Sequence, residues 1–266
     1  MGVFESIVLG IIQGVAEFIP VSSSGHLVIA QTFFSGASDH LFLEWINIGT
    51  FLALVVYFRH KLVRITRDIF ARRKYRLLRN ILLTTIPAAA VGYFAADFIN
   101  NVAFFGDITV VAVMLALVGG IMIILEKLPR ASKVKTGEAL TIPRAFVIGM
   151  AQVAALIPGT SRSGATIIAG RLSGLSAKEA AEYSFLASLP IMAGVILKIF
   201  LYDRAYMMQH FDTLLIGNVA AFLSGLFAVG FLMRYLAHHS LAIFGWYRMT
   251  LAAVLTGGVL IQLIGK

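Results

Sequence analysis

The sequence contains no cysteine and little charge. The first absence excludes disulfides, thiolate metal sites and a cysteine nucleophile, though it assigns no redox compartment. The second is more restrictive. Asp, Glu, Lys and Arg make up 13% of the 266 residues, against about 25% in soluble domains. So little polar surface excludes a water-soluble globule and a disordered chain. What fills the sequence instead is apolar: 59% of residues are hydrophobic and the mean hydropathy is +0.89. The class that remains is an all-α polytopic membrane protein. A net charge of +9 does not imply nucleic acid here, because no polar face exists to present it; in membrane proteins Lys and Arg report orientation. The apolar N-terminus carries Glu5 as its only early charge and is interrupted by Gln13 and Glu17. It reads as part of the mature protein, not a signal peptide.

A membrane helix needs about 20 apolar residues. Six segments qualify: Leu41–Phe58, Ile81–Ile99, Ile108–Leu125, Ala181–Leu201, Thr213–Met233 and Met249–Ile264. Two more stretches, Val3–Phe34 and Arg144–Leu172, are interrupted by Pro20-Val-Ser-Ser-Ser-Gly25 and Pro158-Gly-Thr-Ser-Arg-Ser-Gly164. Irregular backbone is tolerated at membrane depth only inside protein or beside water. Both stretches are therefore expected to be re-entrant helix–loop–helix hairpins.

The two broken stretches align without a gap. Val8 matches Val147, Gly10 matches Gly149, Gln13 matches Gln152, Ser22 matches Ser161, Ser24 matches Ser163, Gly25 matches Gly164 and Ala30 matches Ala169. Further on, Gly119-Gly120 falls on Gly257-Gly258. The single membrane domain thus reads as two homologous halves, about 1–127 and 140–266. Each holds one hairpin and an odd number of spans, so the halves are expected in opposite orientation. Inverted repeats with broken helices at the midplane are a layout of secondary transporters.

Charge orients this arrangement. Nine Lys/Arg lie between Arg59 and Arg79, five in the 127–145 linker, and Arg234 and Arg248 flank the last loop. The opposite side holds Arg204 and Lys266. The positive-inside rule makes the basic side cytoplasmic, with both termini and the mouth of the first hairpin outside. Attraction to anionic head groups accounts for the Arg59–Arg79 run without a nucleic-acid site.

Polar groups within apolar segments are functional candidates. Gln13 and Glu17 share a helix face at i, i+4 spacing. Beyond Pro20 come Ser22, Ser23, Ser24, Gly25 and His26. Carboxylate, hydroxyls and imidazole can supply a metal ligand or base, a nucleophile and a proton carrier. The bland reading is that the serines only cap the second half-helix. The other loop, Gly159-Thr-Ser-Arg-Ser-Gly-Ala-Thr166, has the outline of a phosphate loop with Ala165 in the lysine position, but neither a preceding strand nor a Walker B segment. A nucleotide site is thereby excluded. Its Gly/Ser backbone before a helix N-terminus still suits an anion, and Arg162 adds a planar fork for two phosphate oxygens. The bland alternative is a structural Arg162–Glu17 bridge, which seldom gains stability when buried. The copies differ at the chemistry: Glu17 faces Leu156, Ser23 faces Arg162 and His26 faces Ala165. One copy brings the acid and imidazole, the other the anion clamp.

The segments Gln13-Gly-Val-Ala-Glu17-Phe-Ile-Pro-Val-Ser-Ser-Ser-Gly-His26 and Pro158-Gly-Thr-Ser-Arg-Ser-Gly-Ala-Thr166 resemble the E/Q-x-x-x-E plus P-V-S-S-x-G-H and P-G-x-S-R-S-x-x-T motifs of the undecaprenyl-diphosphate phosphatase family (bacitracin resistance, BacA type). The resemblance covers the whole chain. It implies a bacterial inner-membrane phosphatase that converts the C55 isoprenyl diphosphate to the monophosphate, recycling the carrier lipid for peptidoglycan synthesis. The implied site opens outward and uses a divalent cation, Mg²⁺ or Ca²⁺. The implied catalytic residues are Glu17 (metal or proton), Ser23 (nucleophile or positioning hydroxyl), His26 (proton carrier or rival nucleophile) and Arg162. Gln13, Ser22 and Ser24 of the first loop, with Gly159, Thr160, Ser161, Ser163, Gly164 and Thr166 of the second, are the implied substrate-binding residues. Gln13 stands where many members have Glu; its carbonyl oxygen can still coordinate, but a two-carboxylate metal site is put in doubt. Implied partners are the isoprenyl diphosphate lipid and membrane lipids, with a homodimer allowed and nucleic acid excluded. The inverted repeat also suits a lipid flippase or secondary transporter, since a fold does not decide function; a purely structural subunit leaves Arg162 at membrane depth unexplained.

Overall fold

The computed structural model of the chain describes residues 2–34, 39–102, 104, 107–128 and 133–264. Among these the regular structure is helical. The order is α1 (Val3–Phe18), α2 (Ser23–Phe34), α3 (His40–Trp45), α4 (Asn47–Tyr57), α5 (Arg59–Phe70), α6 (Arg76–Phe94), α7 (Ala96–Asn101), α8 (Ile108–Lys127), α9 (Ile142–Ala154), α10 (Arg162–Leu172), α11 (Ala177–Tyr202), α12 (Arg204–Gln209), α13 (Phe211–His238) and α14 (Ala242–Ile264). Five stretches are long and apolar enough to cross a membrane: His40–Tyr57, Arg76–Phe94, Ile108–Lys127, Ala177–Tyr202 and Phe211–His238. The chain is a polytopic helical membrane protein.

The Pro/Ser/Gly clusters end helices where expected. Ile19, ahead of Pro20, is extended (φ −66°, ψ 128°), closing α1, because the proline ring disfavours the helical region for its predecessor. Pro143 opens α9 at its first turn, where a missing N–H costs nothing. The four hairpin arms have 16, 12, 13 and 11 residues. At about 1.5 Å per residue none reaches alone across a hydrocarbon layer of about 30 Å; within each hairpin the arms pack on each other, α1 on α2 and α9 on α10.

Other expected boundaries shift. The Leu41–Phe58 segment divides at Ile46, where Asn47 donates to the Leu43 carbonyl (2.8 Å) and a side chain competes with the helical ladder. The Ile81–Ile99 segment starts earlier, at Arg76, and its helix ends at Phe94. The last helix begins at Ala242, ahead of the expected Met249, because Ser240 Oγ accepts from Ala242 N (3.3 Å) and Glu126 Oε1 from Leu241 N (3.1 Å). Arg130 and Lys266 of the charge count lie outside the described residues.

The first arm of each hairpin packs against a long helix from the other half of the chain: α1 on α13 and α9 on α6. α4 and α11 also pack on α13 and α6, respectively, and α8 pairs with α14. Between lipid and protein there is no hydrophobic drive to associate, so contact rests on close van der Waals fit at small residues. Phe18 and Phe185 stack edge to face (5.5 Å between centroids) and join Phe58 in the buried core.

Candidate active site at the meeting of two broken helices

The two loop tips have the same local architecture. Ser22 and Ser161 are both in the left-handed region, at φ 80° and 70°, a conformation that costs a non-glycine residue about 1–2 kcal/mol. Each is held by the same bonds. Ser22 Oγ accepts from Gly25 N (3.5 Å) and meets Ser24 Oγ (3.3 Å). Ser161 Oγ accepts from Gly164 N (3.2 Å) and meets Ser163 Oγ (3.2 Å). The serines do cap the second half-helices. Gly159 (φ +86°) lets the second loop lie against α8; a Cβ there would sit 2.6 Å from the Val111 carbonyl oxygen.

Glu17, at the end of α1, lies at the junction. Its Oε1 pairs with Arg162 Nη2, while Oε2 accepts from Ser23 Oγ (2.8 Å) and Gln13 Nε2 (3.3 Å). Gln13 Nε2 also donates to Asn47 Oδ1 (2.7 Å). Ser163 Oγ donates to the Glu17 carbonyl (3.3 Å), so the second loop grips the first through backbone as well as charge. The pair is partly shielded, with side-chain exposures of 21% for Arg162 and 12% for Glu17. Arg162 Nη1 and Thr160 Oγ1 are buried without a hydrogen-bond partner. Such donors normally find an acceptor, and a guanidinium with one nitrogen spent on Glu17 and another unpartnered is disposed to take an anion.

Of the predicted residues, Gln13, Glu17, Ser23, Arg162 and Ser163 are brought into one network. His26 is not joined to Glu17: its Nδ1 lies 2.7 Å from the Ser22 carbonyl and its Nε2 lies 2.7 Å from Tyr247 Oη. Thr166 turns its hydroxyl to the Arg162 carbonyl (2.8 Å) and to Ser184, supporting the start of α10 from beneath.

Sequence reading missed Arg248. In sequence it flanks the last loop among basic residues, yet it is fully buried. It donates to Pro20 O (3.2 Å) of the first loop, to Gly159 O (2.6 Å) and Thr160 O (3.1 Å) of the second, and to Met114 O (3.3 Å) and Leu115 O (3.4 Å) of α8. One guanidinium thus ties both tips to α8. The signal was its position next to apolar Leu251–Leu255, since an arginine inside a membrane helix is functional by default. Tyr247 was missed likewise.

No group of three or more His, Cys, Asp or Glu suited to a metal occurs among the described residues. The oxygens at this point are the Glu17 carboxylate and the Ser23 hydroxyl, while Gln13 turns its amide nitrogen to Glu17. That set fits an ion such as Mg²⁺, which binds through one or two carboxylates together with substrate phosphates, and does not form an all-protein cage.

A family model described as bacitracin resistance protein BacA matches residues 6–254. The chain is 37% identical over 261 residues to undecaprenyl-diphosphatase 2 of Shewanella oneidensis, covering 93% of this chain and 94% of that protein. It is 36% identical over 250 residues to undecaprenyl-diphosphatase of Nitrosomonas europaea (92% and 90% covered). The corresponding protein of Enterococcus faecalis is 35% identical over 267 residues (96% of each).

Proposed function

The chain belongs to the bacitracin resistance protein BacA family, and from that premise we propose that it hydrolyses undecaprenyl diphosphate to the monophosphate and inorganic phosphate in the bacterial inner membrane. This regenerates the carrier lipid for cell-wall synthesis. The observation that carries the site assignment is the Glu17–Arg162 pair, with Ser23 Oγ donating to the same carboxylate and Arg162 Nη1 unpartnered. A flippase or transporter is not favoured, because the relatives it matches are named diphosphatases.

The terminal phosphate binds between Arg162 and the N-terminus of α10, where first-turn N–H groups and the dipole favour an anion. Ser163, Gly164, Ser161, Thr160 and Gly159 shape that cradle; Ser22 and Ser24 shape its opposite wall. Ser23 Oγ attacks the terminal phosphorus as Glu17 takes its proton. The bond to the bridging oxygen breaks, and its electron pair leaves with the lipid monophosphate. Glu17 passes that proton to the departing lipid monophosphate. Water then attacks the phosphoserine phosphorus and gives a proton to Glu17, the bond to Ser23 Oγ breaks, and Oγ takes that proton as inorganic phosphate departs. Arg162 neutralises charge that grows on the transferring phosphoryl oxygens. Glu17 would hold the divalent cation jointly with the diphosphate, where it supplies further charge neutralisation; Gln13 would join it only by exchanging the amide nitrogen it turns to Glu17 for its oxygen. Glu17, Ser23, His26 and Arg162 come from one chain, so a homodimer is compatible with the reading and not required by it.

The isoprenyl chain lies in a laterally open groove of about 470 Å³ between α1, α13 and α14, lined by Ile11, Val15, Ile19, Phe231 and Phe244 with His26 and Tyr247 at one edge. The protein is an inverted repeat of two halves, with the site open to the outer side, both termini outside and α5 on the cytoplasmic face. The matched left-handed serines, the reciprocal packing of α1 on α13 and α9 on α6 and the close approaches at Gly10 and Gly149 support the repeat; basic α5, with no buried residue, supports the orientation through the positive-inside rule. The test is phosphate release from undecaprenyl diphosphate in detergent, where no gradient exists. Arg162→Ala and Glu17→Ala should each lower kcat by about 10²–10³-fold in protein that still elutes as a folded species; wild-type rates in either variant sink the assignment.

A further inference from the structure

Tyr247 is the neighbour of Arg248 on α14, turned about 100° around the helix. While Arg248 points beneath the loops, Tyr247 faces the apolar groove and is 47% exposed. Its hydroxyl lies 2.7 Å from His26 Nε2, and the two rings stack with centroids 5.7 Å apart. The other imidazole nitrogen faces the Ser22 carbonyl at 2.7 Å, an acceptor that requires Nδ1 to carry a proton. His26 is therefore held by the strained loop serine, and it in turn fixes the phenol. Both line the groove, and His26 is three residues along α2 from Ser23, a rise of about 4.5 Å.

We propose that Tyr247 Oη and His26 Nε2 form the subsite for the inner phosphate, the one that stays on the lipid. The inference rests on the phosphatase reading above. A lipid diphosphate has two chemically different phosphates. The outer one needs the Arg162 clamp and Ser23; the inner one must lie between that clamp and the apolar groove, which these two polar groups line. While His26 is neutral the phenol proton is shared with Nε2; when the imidazole carries its second proton, Nε2–H donates to the phenol oxygen and frees the phenol O–H for an anionic oxygen. When the terminal phosphorus–oxygen bond breaks, the electron pair stays on the bridging oxygen of this inner phosphate. Donors placed here stabilise the leaving group and so act in the bond-breaking step. The same contact retains the product, undecaprenyl monophosphate, and ignores free inorganic phosphate, which occupies the outer position.

Tyr247→Phe removes one hydroxyl and keeps the ring that walls the groove. The test is product inhibition of the purified enzyme in detergent, with undecaprenyl monophosphate and inorganic phosphate as separate inhibitors. In the variant the Ki for undecaprenyl monophosphate should rise about tenfold or more, the loss of a hydrogen bond to a charged group, kcat should fall, and the Ki for inorganic phosphate should not change. An unchanged monophosphate Ki overturns the proposal, whether or not kcat falls, because a tyrosine that only orients His26 does not touch the product. Equal weakening of both inhibitors overturns it as well. Wild-type protein that releases no phosphate overturns the phosphatase reading itself, a different result from an active wild type with an insensitive variant.

Discussion

Replacing Arg248 by Lys tests whether the site depends on the two loop tips being fixed to each other. Lysine keeps a positive charge but replaces the planar fork by a single-point donor, so the reach of the donors is what changes most. The arginine reaches five carbonyls through Nε, Nη1 and Nη2, with Pro20 on one side and Gly159 and Thr160 on the other. Met114 and Leu115 lie inside α8 and keep their helical N–H partners. The loop carbonyls of Pro20, Gly159 and Thr160 depend on the fork, and an ammonium, with its donors on one atom, cannot span both loops, so at least one is left unsatisfied at about 1–3 kcal/mol. Pro20 is next but one to Ser22, and Gly159 stands likewise to Ser161, so the freed loops shift Ser23 and Arg162 relative to one another. A misplacement of about 1 Å lowers the rate about 10²-fold, and that is the expected fall in kcat/KM. The assay is phosphate release in detergent, with size-exclusion profile and thermal midpoint measured on the same preparation. A folded Arg248→Lys protein with wild-type kcat/KM refutes the stapling argument.

Three further outcomes are expected. Ser161→Ala loses the cap to Gly164 and keeps a Cβ in the left-handed region, and should lower stability by about 1 kcal/mol; Ser161→Gly relieves the φ of 70° and should be nearly neutral, with the two thermal midpoints deciding. Glu17→Gln keeps the shape but removes the base and the negative partner of Arg162; kcat should fall at least about 10²-fold, read by phosphate release, while inorganic phosphate inhibits more strongly because the guanidinium is freed. Chelation of divalent ions should suppress phosphate release and added Mg²⁺ restore it; full activity after exhaustive chelation excludes the metal role.

Much of the site was legible because membrane segments tolerate so few polar residues. Gln13, Glu17, Ser23 and Arg162 stand out in apolar sequence, and the structure joins them in one network. The breaks at Pro20 and Pro158 were legible because proline and glycine act on local backbone. Arg248 was not. A basic residue near a presumed loop reads as topology, and whether it lies in a loop or in a helix depends on where α14 begins. That boundary is set by Glu126, a residue more than a hundred positions away, which caps Leu241 N. Thr166 shows the converse: its motif position suggests a ligand, yet α11 supplies Ser184 and turns the hydroxyl inward.

The sequence by itself determined the class of the protein, the two broken hairpins and the residue types that meet there, because hydropathy, helix breaking and the rarity of charge in lipid are local properties. Only the tertiary structure decided what those residues do for each other: that Glu17 is shared by Arg162 and Ser23, that His26 turns to Tyr247, and that Arg248 lies beneath both loops. Those facts depend on which helices pack together, and the packing of α8 with α14 and of α1 with α13 brings together residues more than a hundred positions apart.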